Sequence, residues 1–265
     1  MNTSLIITTY NRPEALELVL LSALKQTVMP DQIIIADDGS EEKTAELIQK
    51  FIDLNKIPII HSWQEDRGFR LSRSRNLAVS KSRDEYLIFI DGDMLLHKDF
   101  VKDHLKYAKK GSFIQGNRSL ITEDFTNKMI LNKNLKIPSR LSKNLSNKIN
   151  SFRAPLFTRI ISLFKNMRRR GIRTCNFSIF RQDLIEVNGF NEDFKKWGQE
   201  DSELVERLYN LGIYRRNIKF SALQYHLYHK EGKSNKDNLL ILRRAIEKKL
   251  IRCANGLDKH LSKNA

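Results

Sequence analysis

Acidic residues are absent from a long central stretch of this 265-residue chain: none occurs from Phe125 to Gln182. Cysteine is almost absent too. Cys175 and Cys253 are the only two, which excludes a disulfide framework and fits a reducing cytosol. No apolar run approaches the roughly 18 residues of a membrane-spanning helix. The first ten residues, Met1 to Tyr10, lack a basic region and a long apolar region, so they do not read as a secretory signal. These absences lead to an expected cytoplasmic location.

What the acidic gap holds instead is positive charge. Lys128, Lys133, Lys136, Arg140, Lys143, Lys148, Arg153, Arg159, Lys165, Arg168, Arg169, Arg170, Arg173 and Arg181 all lie in it, and the net charge is +16. Such a block attracts polyanions, whether nucleic acid, anionic lipid or an acidic glycan. A solvated basic surface with no specific partner is the plain alternative. Nucleic acid is the weakest of the three, because aromatic residues do not alternate with the basic ones as stacking platforms. With 40% hydrophobic and 29% charged residues the chain is globular, long enough for one large domain or two small ones.

The first half alternates strand and helix signals. Ser4–Thr8, Gln32–Ala36, Ile57–Ser62 and Tyr86–Ile90 read as strands. Helices are expected between them: one capped by Asn11 with Pro13 in its first turn, one over Glu41–Asp53, and one over Leu71–Ser80. That alternation predicts an α/β fold with a mostly parallel sheet covered by helices on both faces. Ligands bind such sheets at the carboxyl ends of the strands, where Thr9, Asp38 and Asp91 fall. From about Thr126 to Arg170 the character changes. Phe152, Leu156, Ile160, Leu163 and Phe164 fit one apolar face of a basic helix, which reads as an interfacial helix, a flexible acceptor lid or a core-facing helix. Order then returns, with a strand at Asn176–Phe180 and helices at Asp183–Val187, Ser202–Leu211 and Lys236–Arg252.

The triplet Asp91-Gly92-Asp93 closes the fourth strand. Two carboxylates at a strand end suit a hard divalent cation, and such a cation suits nucleotide phosphates. A surface turn needs no metal and would read the same way. Five further segments stand around it in the chain: Thr8-Thr9-Tyr10-Asn11-Arg12, Asp37-Asp38-Gly39-Ser40, Asp66-Arg67-Gly68-Phe69-Arg70 with Arg75-Asn76, Trp197-Gly198-Gln199-Glu200-Asp201, and His226-Leu227-Tyr228-His229.

Together these six resemble the family 2 glycosyltransferases of GT-A fold. The part from Cys175-Asn176 through Asn188-Gly189-Phe190 to Asp201 resembles a motif shared by β-1,4-galactosyltransferases and bacterial chondroitin polymerases. The resemblance covers about Ser4–Arg118 and Gly171–Asn238. It implies one GT-A domain over 1–235: a nucleotide-binding half (1–118), a basic insertion (126–170) and an acceptor half (171–235), then a basic helix and tail (236–265). It implies an inverting, metal-dependent transfer of a hexose or N-acetylhexosamine from a UDP-sugar to a hydroxyl of a bacterial surface glycan, such as a lipopolysaccharide core, O-antigen or capsule. Thr8, Thr9, Tyr10, Arg12, Asp38, Arg67, Arg75, Asn76, Asp91 and Gly92 would form the donor-nucleotide set, with Asp38 at the uracil edge. Asp91 would meet the ribose or a metal-bound water. Asp93 would ligate Mn²⁺ or Mg²⁺ with His229, whose spacing to Asn235 matches the galactosyltransferase pattern, and His226 would complete the shell.

Asp201 would be the general base, because inversion needs one carboxylate to take the acceptor proton. Glu200, Trp197 and Gly198 would hold donor sugar and acceptor. Gln199 departs from the motif, which usually has glycine there, and leaves the sugar open. Structural roles rival each of these: helix caps for Asp38, Asn76 and Asp201, a core position for Trp197, surface positions for the arginines. A nucleotidyltransferase on a similar sheet and a basic nucleic-acid-binding protein are the competing functions. The basic middle is expected to hold a glycan or glycolipid acceptor bearing acidic groups, or the anionic cytoplasmic face of the inner membrane, through Arg168, Arg169 and Arg170.

Overall fold

Runs of isoleucine and leucine form the centre of the sheet in this computed structural model, which describes residues 1–230, 232 and 236–261. β1 (Thr3–Thr9), β2 (Gln32–Asp37), β3 (Ile59–Trp63) and β4 (Tyr86–Asp91) are parallel, in the order β3-β2-β1-β4. α1 (Pro13–Ala23), α2 (Glu42–Asp53) and α3 (Leu71–Lys81) connect them. Both faces are covered, so the middles of β1, β2 and β4 are apolar at consecutive positions rather than at alternate ones. Leu5 and Ile7 of β1 face one core with α1 and α2, while Ile6 faces the other with Ala78 and Val79 of α3. Each fully buried Leu, Ile or Val side chain of this kind contributes about 2 kcal/mol.

The later elements follow as β5 (Met94–Leu96), α4 (Phe100–Tyr107), β6 (Ser112–Gln115), β7 (Ser119–Ile121), α5 (Glu123–Leu131), β8 (Leu145–Ser146), α6 (Pro155–Ile161), β9 (Asn176–Phe180), α7 (Arg181–Glu186), α8 (Glu200–Asn210), β10 (Tyr214–Asn217), β11 (Gln224–His226), α9 (Lys236–Glu247) and α10 (Asp258–Leu261). β9, β6 and β10 extend the main sheet beyond β4, and β9 alone runs against the rest. A second sheet, β5-β11-β7-β8, stands at the carboxyl end of β4. Only Gly92 and Asp93 separate β5 from β4, and β11 pairs with β5 antiparallel, with Met94 opposite His226.

Several boundaries differ from expectation. Asn11 does not cap α1. It sits at φ 47° and its side chain accepts the Glu41 amide at 2.8 Å, tying the start of α1 to the β2–α2 loop. β3 starts at Ile59 because Pro58 has no N–H for the ladder. α8 starts two residues early, at Glu200, so Asp201 lies inside the first turn. α9 stops at Glu247 rather than Arg252. Lys249 at φ 48° and bonds from Lys249 and Leu250 back to Ile246 and Ala245 turn the chain, a closure usually marked by glycine. The stretch after α9, expected as a tail, returns to the body: Leu257 is fully buried and His260 bonds Glu192 at 2.7 Å.

Candidate active site

The register of the parallel strands sets the floor of the site. Thr8 lies opposite Asp91, and Thr9 opposite Asp37, so three strand ends finish at one level. Between β4 and β5 the chain must turn against β1, and Gly92 makes that approach. Its amide donates to the Thr8 carbonyl at 2.6 Å, and a Cβ there would stand 2.6 Å from the same oxygen. Glycine is therefore required between the two carboxylates.

Asp93 is held by the second sheet, since its carbonyl accepts the Leu227 amide at 2.9 Å. Its Oδ2 lies 3.5 Å from His226 Nε2 and 3.3 Å from His229 Nε2, and it accepts a 2.9 Å bond from Arg12. Burial opposes its charge, but the His226 hydrogen bond and the charges of His226, His229 and Arg12 outweigh that and hold the carboxyl below its ordinary range. Asp93 Oδ1 is buried with no partner. One oxygen from Asp93 and one nitrogen from each histidine lie within 4.8 Å of one another. A carboxylate and two imidazoles, with an unsatisfied buried oxygen among them, fit a divalent transition metal ion. Asn235, named with His229, lies outside the described residues.

Asp91 accepts from Thr8 Oγ1 at 3.1 Å and from Arg75 Nη2 at 3.3 Å. Burial raises its pKa, and the Asp93 and Asp201 charges add to this against the opposing pull of Arg75. Arg75 is itself almost fully buried, over the Phe190 ring, and its other arm reaches Asp201 Oδ1 at 3.2 Å. It thus bridges two carboxylates. Asp201 accepts two more bonds, from the Thr174 amide at 2.9 Å and from Thr174 Oγ1 at 2.5 Å. All three partners are donors, the set a carboxylate needs. Beside it, Glu200 is buried with Oε2 unpartnered. Burial first, then the Asp201 charge, push its pKa up to about 7.

Two cavities meet here, of about 270 Å³ and about 420 Å³. The first is lined by Thr8, Thr9, Tyr10, Arg12, Asp93 and both histidines. The second is lined by Arg75, Gly198, Glu200 and Asp201. Leu71, Asp91, Arg118 and Trp197 wall both. Trp197 stays half-exposed, and its loop is clamped by Asn238, whose Nδ2 donates to the carbonyls of Lys196 and Gly198 at 2.7 Å.

Three residues of the expected set stand apart. Asn76 is fully buried and bonds the Phe190 backbone in both directions, which fixes α3 to the loop before α8. Arg67 is exposed and pairs with Glu65 at 2.7 Å. Asp38 is buried against Gln64 and the Arg70 amide, with its pKa pushed up by burial to about 6, and it lines neither cavity. Arg75 belongs to the site as a carboxylate bridge rather than a free cation. Thr174 and Arg118 escaped the sequence reading. Arg118 follows a four-residue strand with no motif of its own, yet its Nε is buried without a partner. Thr174 precedes Cys175-Asn176, and only the fold sets it against Asp201.

The chain is similar to several known proteins. The chondroitin synthase of Escherichia coli is 28% identical over 244 residues, which cover 84% of this chain and 34% of that protein. The chain thus spans about a third of that relative's length. The validoxylamine A glucosyltransferase of Streptomyces hygroscopicus subsp. limoneus is 26% identical over 231 residues, covering 79% of this chain and 48% of that protein. Among solved structures, TarS 1-349 of S. aureus in complex with UDP-GlcNAc superposes with a TM-score of 0.66 at 18% identity, over 99% of this chain and 71% of that one. That likeness shows the fold, the GT-A arrangement of a mostly parallel sheet flanked by helices. Residues 156–230 match the family described as the N-terminal domain of galactosyltransferase. Residues 4–187, from the first strand of the floor to the helix before Asn188, match glycosyl transferase family 2, and the chain belongs to that family.

Proposed function

We propose that this chain transfers a hexose or N-acetylhexosamine, with inversion, from a UDP-sugar to a hydroxyl of a bacterial surface glycan. The observation that carries the reading is the pair of cavities sharing Asp91, Arg118 and Trp197. One holds the strand ends and the Asp93-His226-His229 cluster, chemistry suited to a nucleoside diphosphate. The other holds Glu200 and Asp201, chemistry suited to an acceptor hydroxyl. The UDP-GlcNAc in the S. aureus TarS structure and the chondroitin synthase relative support a nucleotide-sugar donor and a glycan acceptor.

Asp93, His226 and His229 would hold the divalent ion, and two imidazoles favour Mn²⁺ over Mg²⁺. When bound, it would supply positive charge to the departing diphosphate. The protein's own residues do the rest. Asp201, fixed by Thr174 and Arg75, takes the acceptor proton as the oxygen attacks the anomeric carbon. Glu200, protonated up to about pH 7, donates a hydrogen bond to sugar or acceptor oxygen instead of competing as base. Trp197 offers its exposed face to a sugar ring.

A UDP-sugar panel with Mn²⁺, followed by UDP release with and without glycan acceptors, tests this. One donor should release UDP, and folded Asp201→Asn and Asp93→Ala variants should lose roughly a hundredfold or more. Transfer retained by folded Asp201→Asn removes that residue as base. Pyrophosphate in place of UDP identifies a nucleotidyltransferase.

A further inference from the structure

A helix on the surface of a globular protein turns its apolar side chains inward and its polar ones outward. α6 and the residues just after it instead bury polar side chains and expose apolar ones. Thr158 and Ser162 are buried: Thr158 Oγ1 donates to the Lys219 carbonyl at 2.6 Å and lies 2.9 Å from Ser221 Oγ, while Arg216 Nε donates to the Ser162 carbonyl at 2.9 Å. Leu156, Phe157 and Ile160, and after the helix Leu163, Phe164 and Met167, are 48% to 80% exposed. Scattered apolar residues on a surface need no explanation, but six large ones within twelve positions form a patch. Hydrogen bonds anchor this segment to the β10 edge of the sheet, so the apolar side is presented rather than merely uncovered. Arg159, Lys165, Arg168 and Arg170 are exposed around it. Arg169 is spent on Glu206, which it grips with two bonds of 2.5 Å and 2.7 Å.

We propose that this face docks on the interface of an anionic lipid bilayer. Leu156, Phe157, Ile160, Leu163 and Phe164 enter the acyl boundary, and Arg159, Lys165, Arg168 and Arg170 meet head-group phosphates. Charge complementarity selects this occupant. The patch lies in the stretch from Phe125 to Gln182 that has no acidic residue, and the chain carries +16, so a second copy would bring identical cations face to face. A purely acidic glycan would satisfy the cations but leave five large apolar side chains in water. An interface with anionic head groups above acyl chains satisfies both. Four residues past Met167 the chain reaches Gly171, and then Ile172 and Arg173, which line the Asp201 cavity. Docking therefore brings that cavity beside the lipid surface. The proposal stands whether or not the chain transfers sugar.

Cosedimentation of the full chain with vesicles of phosphatidylcholine, with and without phosphatidylglycerol, tests it. Binding is expected on the anionic vesicles, weakening as salt rises. The combined variant Leu156→Ser, Phe157→Ser, Leu163→Ser, Phe164→Ser should bind roughly a hundredfold more weakly. Its circular dichroism and urea midpoint should match the parent, because those side chains contribute little to the fold. Arg159→Gln, Lys165→Gln, Arg168→Gln and Arg170→Gln together should remove most of the salt-sensitive part. Three results overturn the proposal: no binding to anionic vesicles, equal binding by the serine variant, or equal binding to both lipids. Light scattering that shows a dimer dissolved by the serine changes, with no vesicle binding, makes the face a contact between copies and overturns it as well.

Discussion

Replacing Glu200 with glutamine should make the protein more stable at alkaline pH and leave it unchanged in acid. Glu200 is buried beside Asp201, and its folded pKa is raised from 4.5 to about 7, chiefly by burial. The folded chain therefore holds a proton that the unfolded chain releases above pH 4.5. Stability from this group is complete below that value and is lost as pH rises through about 7. At about 1.4 kcal/mol per pH unit, the interval corresponds to about 3 kcal/mol. Glutamine has the shape of the protonated acid and no charge to bury. Urea unfolding, followed by the fluorescence of Trp63 and Trp197, should give equal free energies for parent and Glu200→Gln at about pH 4.5. The variant should lead by about 3 kcal/mol at about pH 9. Asp201→Asn removes the neighbouring charge and should reduce the difference. Parallel profiles across the whole range would show that Glu200 is not protonated at neutral pH, and its role as a hydrogen-bond donor would fall with that.

Other expectations follow from the same geometry. Gly92→Ala places a Cβ 2.6 Å from the Thr8 carbonyl, so about 1–3 kcal/mol of stability should be lost, read as a lower urea midpoint. Gln199 stands at φ 76°, where glycine is unstrained, so Gln199→Gly should be neutral or stabilising by up to about 1 kcal/mol, while Gln199→Val should lose more than about 1 kcal/mol in thermal unfolding. Arg75→Lys keeps the charge but cannot span Asp91 and Asp201. If Arg75 positions Asp201, kcat should fall roughly tenfold or more with little change in the donor KM; a change confined to KM would make it a donor contact instead.

How much of this was legible in the sequence depended on whether a residue's partners are near in sequence. The parallel half is legible, because strands buried on both faces carry apolar residues in succession, and residues 33–36 and 86–90 show that within four or five residues. The carboxylates were legible because Asp91-Gly92-Asp93 closes such a strand. β5, β7, β8 and β11 were not, because two or three residues carry no period. The end of α9 was missed because lysine, not glycine, takes the left-handed position. For Asp38 and Asn76 the motif gives a position but not the direction of the side chain. In the structure Asp38 turns to Gln64, and Asn76 to Phe190. Asp201 was placed before its helix because Gln199 gives no ordinary cap signal.

The pairing of β5 with β11 has a consequence for when this protein can work. Every strand of the parallel centre is complete by residue 91, so that part of the chain leaves the ribosome before the rest of the site. Asp93 leaves with it, but His226 and His229 come more than a hundred residues later, and Asn238, which clamps the Trp197 loop, later still. A nascent chain can therefore lay down its sheet long before it holds a finished site. Loss of residues after about 224 would remove both imidazoles and the clamp while sparing every strand of the main sheet. Assembly of the site therefore waits on residues 226 to 238, well after the parallel strands that form its floor have been made.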